Sequence, residues 1–355
     1  MSPRLSPVPD LRFRVESNLL KLILGVPPRV QRRLIRKPIV LDGQTLAPEL
    51  QLLLASKKLA RIPGAETLPL AQARAELTRQ QLMAGGHQPV GALRDLEVDG
   101  AAGPLRARLY TPTERLGAEP TPTMLFIHGG GWMYGDLESH DPACRFLAEQ
   151  SGVQVLAIDY RLAPEHKFPA AVEDCQAAYR WLVDHADEIN ADPTRLAVGG
   201  DSAGGALSAS TAVWAAEQGL PLAFQLLIYP GTDWIERTES RRLFGEGFIL
   251  TNLFMDNAEE AYFTPGADKA VPDASALRRV DFPEKLAPAY VVTGGFDPLR
   301  DEGEAYAQLL EKQGFEVETK RYPSMIHGFL HFVGVGHEAK SYVAEIADRL
   351  RRALA

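Results

Sequence analysis

The chain has 355 residues, 45% apolar and 24% charged, with a formal net charge of −8. That composition excludes wholesale disorder, collagen and coiled coil. The acidic balance excludes nucleic acid as an expected partner, because phosphate contacts dominate that affinity.

Residues 1–37 hold nine basic side chains against Asp10 and Glu16, a balance of +7 that leaves −15 for the remainder. Leu19, Leu20, Leu22, Ile23, Leu24, Val30, Leu34 and Ile35 interleave with them. This is the pattern of a basic amphipathic helix that meets a membrane surface, or of a helix packed on the body with its charges in water. Pro27 and Pro28 break the segment in two. The apolar run 19–26 is short, carries Lys21 and has no cleavage site after it, so it does not read as a secretory signal. No stretch approaches the ~18–20 apolar residues of a membrane span. The expectation is a cytoplasmic protein. Cys144 and Cys175, in no metal-binding or C-x-x-C spacing, read as inert thiols of a reducing compartment.

Leu50, Leu53, Leu54 and Leu59 have helical spacing, as do Ala71, Ala75, Leu77 and Leu82, and Gly85-Gly86 ends the second run. Residues 1–88 therefore form a helical N-terminal region that contributes to a cap, and 89–355 form the main body. Within that body, β-rich runs fall at 93–98, 105–110, 124–127, 153–158, 196–198, 224–229, 289–293 and 317–322. Helical patterns at 141–150, 169–187, 203–217, 301–313 and 338–354 alternate with them from the third run onward. That alternation predicts an α/β fold with a mostly parallel eight-stranded sheet covered on both faces, the first two strands supplying an antiparallel part. Residues 231–288, with a helical stretch at 251–263, interrupt the alternation as a cap insertion.

Gly200-Asp201-Ser202-Ala203-Gly204 is a G-x-S-x-G between a strand pattern and a helix pattern. Glycines on both sides let the chain turn sharply, lifting the Ser202 hydroxyl above the sheet at a helix N-terminus. The alternative is a serine that merely caps this helix. His128-Gly129-Gly130-Gly131-Trp132 follows the strand 124–127. Acyl transfer needs preset N–H donors for a developing oxyanion, and Gly129, Gly130 and Ala203 can supply them. An acid and a base come later, each just beyond a strand: Asp297, with Asp301 as rival, and His327, with His331 as rival. His327 and His331 have i,i+4 spacing, but Gly328 stands where H-E-x-x-H has Glu, so zinc is not expected. The other histidines read as structural or solvated.

With these blocks, and with Asp159-Tyr160-Arg161-Leu162-Ala163-Pro164-Glu165, the chain resembles the hormone-sensitive-lipase family of α/β-hydrolases, the bacterial family IV carboxylesterases, over roughly residues 90–355. The resemblance implies a serine carboxylesterase for short- to medium-chain esters with Ser202, Asp297 and His327 as its triad. It implies a structural charge network around Arg161 and Glu165. Ala206 departs from the Asn that relatives often carry. Trp132, Phe248, Phe254 and Phe329 are the expected pocket walls. No cofactor or metal is expected. The expected partner is a small ester, with peripheral membrane contact through 1–37 and a homodimer left open. An amidase or a non-enzymatic ligand receptor on the same scaffold are the competing readings.

Overall fold

The computed structural model describes residues 11–35, 37–117 and 120–355. Residues 1–10 and 36 of the basic segment, with the side chains of Leu11 and Arg12, lie outside the described residues.

Each of the eight β-rich runs forms a strand. They are β1 (Ala92–Gly100), β2 (Gly103–Thr111), β3 (Thr121–Ile127), β4 (Gln154–Ile158), β5 (Ala191–Asp201), β6 (Phe224–Ile228), β7 (Ala289–Phe296) and β8 (Val317–Ile326). They make one eight-stranded sheet in the order β8-β7-β6-β5-β3-β4-β2-β1. The β1–β2 and β2–β4 pairings are antiparallel and all others are parallel. Helices α5 (Leu137–Ser151) and α11 (Glu338–Ala353) cover one face with one apolar cluster, and α6 (Ala170–Asp184) and α7 (Ala203–Glu217) cover the other with a second. β3 and β4 are buried along their whole length, as expected of central strands covered on both sides. α10 (Arg300–Lys312) lies with α7 against β6 and β7.

α5 starts earlier than its sequence pattern predicts. The Asp136 carboxylate accepts the Ser139 N–H at 2.7 Å while Ser139 Oγ accepts the Asp136 N–H at 2.9 Å. This reciprocal cap starts the helix well before Pro142, whose ring made the sequence pattern look as though the helix began there.

The N-terminal region divides in two. Helices α1 (Leu11–Leu24), α2 (Pro28–Leu34) and α4 (Leu70–Gly85) lie outside the sheet, α1 against α4. Residues 42–53 instead join the body. Leu46, Ala47 and Leu50 at the start of α3 (Pro48–Leu59) are at most 1% exposed within the main core. The buried Glu49 carboxylate accepts the N–H groups of His337, Glu338 and Ala339 at 2.7, 3.2 and 3.1 Å, so it caps α11 from across the sequence. The insertion carries α8 (Glu239–Phe244) and α9 (Asn252–Tyr262). It touches the N-terminal region directly: Thr251 Oγ1 donates to Glu66 Oε1 at 2.9 Å and Asn257 Nδ2 to the Glu66 carbonyl at 3.0 Å.

Arg161 and Glu165 belong to two separate ion pairs rather than one network. Arg161 clamps the fully buried Asp174 (Nε–Oδ2 2.8 Å), and Glu165 takes both guanidinium nitrogens of Arg74 at 2.8 Å. Cys144 and Cys175 are buried on opposite faces of the sheet, unbridged, with burial pushing both thiols up.

Candidate active site

Sheet register assembles the site. Ile127 is level with Gly200, Asp201 with Ile228, Ile228 with Val292, and Phe296 with Ile326. His128, Ser202, Tyr229, Asp297 and His327 are each the residue just after the end of a strand. Parallel strands that end together thus deliver all of them to one rim, where such sheets carry their sites.

Ser202 sits at φ 55°, ψ −118°, in a region non-glycine residues rarely occupy, and makes no side-chain cap to α7. The capping alternative is therefore excluded. The turn is tight because the flanking glycines bring it against β3: a Cβ on Gly204 would lie 1.9 Å from the Ile127 carbonyl oxygen. The Ser202 hydroxyl is 2.9 Å from His327 Nε2, and His327 Nδ1 is 2.8 Å from Asp297 Oδ2. Asp297 is fully buried, and its other oxygen accepts the Leu299 N–H at 2.8 Å. The Tyr229 ring lies 4.6 Å from the imidazole, and the fully enclosed Phe329 packs beneath that tyrosine.

The two rivals have other work. Asp301 accepts the Ser240 N–H at 2.7 Å and pairs with Arg300 at 2.8 Å, tying α8 to α10. His331 lies on the far side of the elbow, 3.8 Å from Asp201 and 3.1 Å from Gln81. Burial, reinforced by His140, lowers its pKa to about 3.

The glycine loop corrects one expectation. The Gly129 N–H is already donated to Asp201 Oδ1 at 2.8 Å and is not free for an oxyanion. Gly129 must approach this closely, since a Cβ there would lie 2.6 Å from the Asp201 carbonyl oxygen. The next residue, Gly130, is at φ +123°, a conformation that needs glycine. No acceptor among the described residues takes the N–H groups of Gly130, Gly131 or Ala203. The available donors are therefore these three, shifted by one residue from the expected set.

Asp201, the variable residue of the G-x-S-x-G, is the second element that sequence reasoning missed. It is 3% exposed and surrounded by His140 Nε2 at 3.2 Å, His331, the Gly129 N–H and the Tyr229 hydroxyl at 3.4 Å. Burial alone would raise its pKa, but His140, His331 and the Gly129 N–H outweigh that and hold the carboxyl well below its usual range. His128 stacks on Tyr160 at 4.3 Å, and burial followed by His140 lowers it to about 4. The available clue was an acidic residue closing the apolar and glycine run Leu196–Gly200.

The aromatic expectations divide. Trp132 stacks on Tyr262 at 5.0 Å and packs on Trp234 at 4.8 Å, beside the glycine loop. Phe254 packs on Tyr134 at 5.3 Å and lies against Gly131. Phe248 instead packs with Phe244 and Phe296, at 5.8 and 5.5 Å, and joins the main core. Phe329, at 0% exposure, is core packed against Tyr229 and not a pocket wall.

A family model for the alpha/beta hydrolase fold matches residues 124–331, the span that holds Ser202, Asp297 and His327. The chain belongs to the α/β-hydrolase family. This hydrolase is 40% identical to the carboxylic ester hydrolase LipN of Mycobacterium tuberculosis, over 94% of this chain and 90% of that one. It is 34% identical to the ethyl acetate hydrolase of Pseudomonas putida, over 87% of this chain and 98% of the relative. Among solved structures, an ester hydrolase from the Lake Arreo metagenome, complexed with a bipyridine phosphonate derivative, superposes with a TM-score of 0.83 at 40% identity, covering 86% of this chain and 98% of that one. The hydrolase is a carboxylesterase of the hormone-sensitive-lipase type. Among its described residues, no helix is long and apolar enough to cross a membrane.

Proposed function

We propose that this carboxylesterase hydrolyses short- to medium-chain esters through an acyl-enzyme on Ser202. Ser202 Oγ attacks the ester carbonyl carbon as its proton passes to His327 Nε2. Asp297 fixes the imidazole with Nδ1 protonated and stabilises the imidazolium. The carbonyl electrons move onto oxygen, which meets the free N–H groups of Gly130, Gly131 and Ala203 at the start of α7. Collapse breaks the C–O bond, and the alcohol leaves with the proton from Nε2. Water then repeats the sequence, giving the acid and free Ser202. Helices α1, α2 and α4 and the 231–288 insertion serve as a cap, with Trp132 and Phe254 limiting the acyl chain.

The observation that carries this reading is the unbroken line Ser202–His327–Asp297, with contacts of 2.9 and 2.8 Å. The ethyl acetate hydrolase among the relatives supports the short acyl range. The test is kcat/KM across p-nitrophenyl esters from acetate to palmitate, with a pre-steady-state burst and a matching anilide. A burst with a maximum near butyrate or hexanoate is expected. A maximum at laurate or longer would overturn the bounded pocket, and faster anilide cleavage would overturn the ester preference. A phosphonate ester, of the class bound to the Lake Arreo enzyme, should label Ser202 stoichiometrically.

A further inference from the structure

Nine of the fourteen exposed large apolar side chains recorded among the described residues lie between residues 15 and 62. α1 carries two apolar stripes. Leu20, Ile23 and Leu24 turn inward to the core. Val15, Leu19 and Leu22, spaced i, i+4, i+7, turn to solvent at 56%, 53% and 70% exposure. On α2, Val30 and Leu34, spaced i, i+4, are likewise exposed at 40% and 60%. Arg14, Lys21, Arg29, Arg32 and Arg33 are all exposed on these two helices, and none has a carboxylate partner among the described residues.

The occupant of this face must gain from both features. A second copy of the chain would set like charges against each other across an isologous contact. A nucleic acid would take the cations and leave the apolar stripes in water. The surface of an anionic bilayer takes both: its headgroups meet the five cations, and Val15, Leu19 and Leu22 enter the acyl boundary. We propose that α1 and α2 are an interfacial anchor for anionic lipid bilayers. The body carries the compensating negative charge and stays in water. Inward, α1 rests on α4, and α4 rests on the segment 329–334 that follows His327. Binding therefore lays the cap side against the phase in which apolar esters collect. This goes beyond ester hydrolysis and does not depend on it.

The test is co-sedimentation of the full chain with vesicles of phosphatidylcholine alone and of an equimolar mixture with phosphatidylglycerol, at low and high salt. Binding is expected only to the anionic vesicles, weakening with salt. Arg29→Glu/Arg32→Glu/Arg33→Glu is expected to lower partitioning by on the order of 100-fold or more, and Leu19→Ser/Leu22→Ser to weaken it further at high salt. Both variants are expected to keep wild-type kcat/KM on a soluble p-nitrophenyl ester, which shows that they fold. No binding by wild type, or unchanged binding by the charge-reversed variant, overturns the proposal. So does a wild-type dimer made monomeric by Leu19→Ser/Leu22→Ser without vesicle binding, since the face would then be a homodimer contact.

Discussion

Beneath Ser202 the chain buries charge, whereas along α1 and α2 it leaves apolar side chains in water. Asp201 is 3% exposed and Asp297 0%, while Leu22 is 70% exposed. Each arrangement is unfavourable on its own, and the two are offset in different ways. Every close neighbour of Asp201 is a histidine, a hydroxyl or a backbone N–H, so the fold itself supplies what water would have given. Nothing within the described chain covers Val15, Leu19 and Leu22. The buried charge is a property of the folded monomer, and the exposed apolar face is a property that waits for an occupant.

The largest effects are expected on the buried side. Ser202→Ala is expected to lower kcat by on the order of 10⁴-fold or more with the fold intact. Asp297→Asn is expected to approach that loss, and Asp301→Asn to leave most activity, since Asp301 holds Ser240 and Arg300. Steady-state kinetics on a p-nitrophenyl ester, beside circular dichroism, reads both; the reverse ranking would move the acid to Asp301. Asp201→Ala leaves His140 and the Gly129 N–H facing a void. A destabilisation of about 3–5 kcal/mol in urea unfolding is expected. A fall in kcat larger than in KM is also expected, because the glycine loop loses its anchor. A smaller contrast lies between two leucines. Leu46→Ala, in the core, is expected to cost about 2–5 kcal/mol, and Leu22→Ser to change stability by no more than about 0.5 kcal/mol. Equal costs would remove the distinction between the two regions.

A separate effect depends on pH. His331 is held neutral in the fold, with its pKa lowered to about 3 from 6.5. A lowered folded pKa gives stability that is complete above the unfolded value and is lost as pH falls, since the unfolded chain takes up the proton first. Between pH 7.5 and 5 wild type is therefore expected to lose about 2 kcal/mol relative to His331→Gln. Urea denaturation of both proteins at the two pH values gives the difference; a gap that does not narrow on acidification would place the proton differently.

Much of this was legible in the sequence because the chemistry sits at strand ends. Strand and helix patterns located β3, β5, β7 and β8, the last three with ends three or four residues short, and in the structure the residue after each strand is His128, Ser202, Asp297 or His327. What stayed hidden needed three dimensions. Gly129 and Gly131 are equivalent letters in a run of glycines, and only the Asp201 carboxylate, 72 residues on, engages one of them and leaves the other. Phe248 and Phe254 occur in the same aromatic stretch, yet one packs on Phe296 in the core and the other on Tyr134 beside the loop. Leu50, Leu53, Leu54 and Leu59 showed a helical period that could not say which body their helix joins; Glu49 joins through backbone groups at the far end of the chain.

That last contact bears on the order in which the molecule is made. Glu49 and Ala339 are 290 positions apart, and the Ala47 amide bonds the Ser324 carbonyl at 3.0 Å. Translation at about 5–20 residues per second separates such partners by roughly 15 to 60 s. For that interval Leu46 and Leu50 have emerged from the ribosome while α11 has not been made. An early segment must wait, apolar and unpaired, for the final helix to close over it. The last 20 or so residues are thus the clasp of the whole body, and chains released before α11 is complete are the ones most exposed to chaperones and proteases.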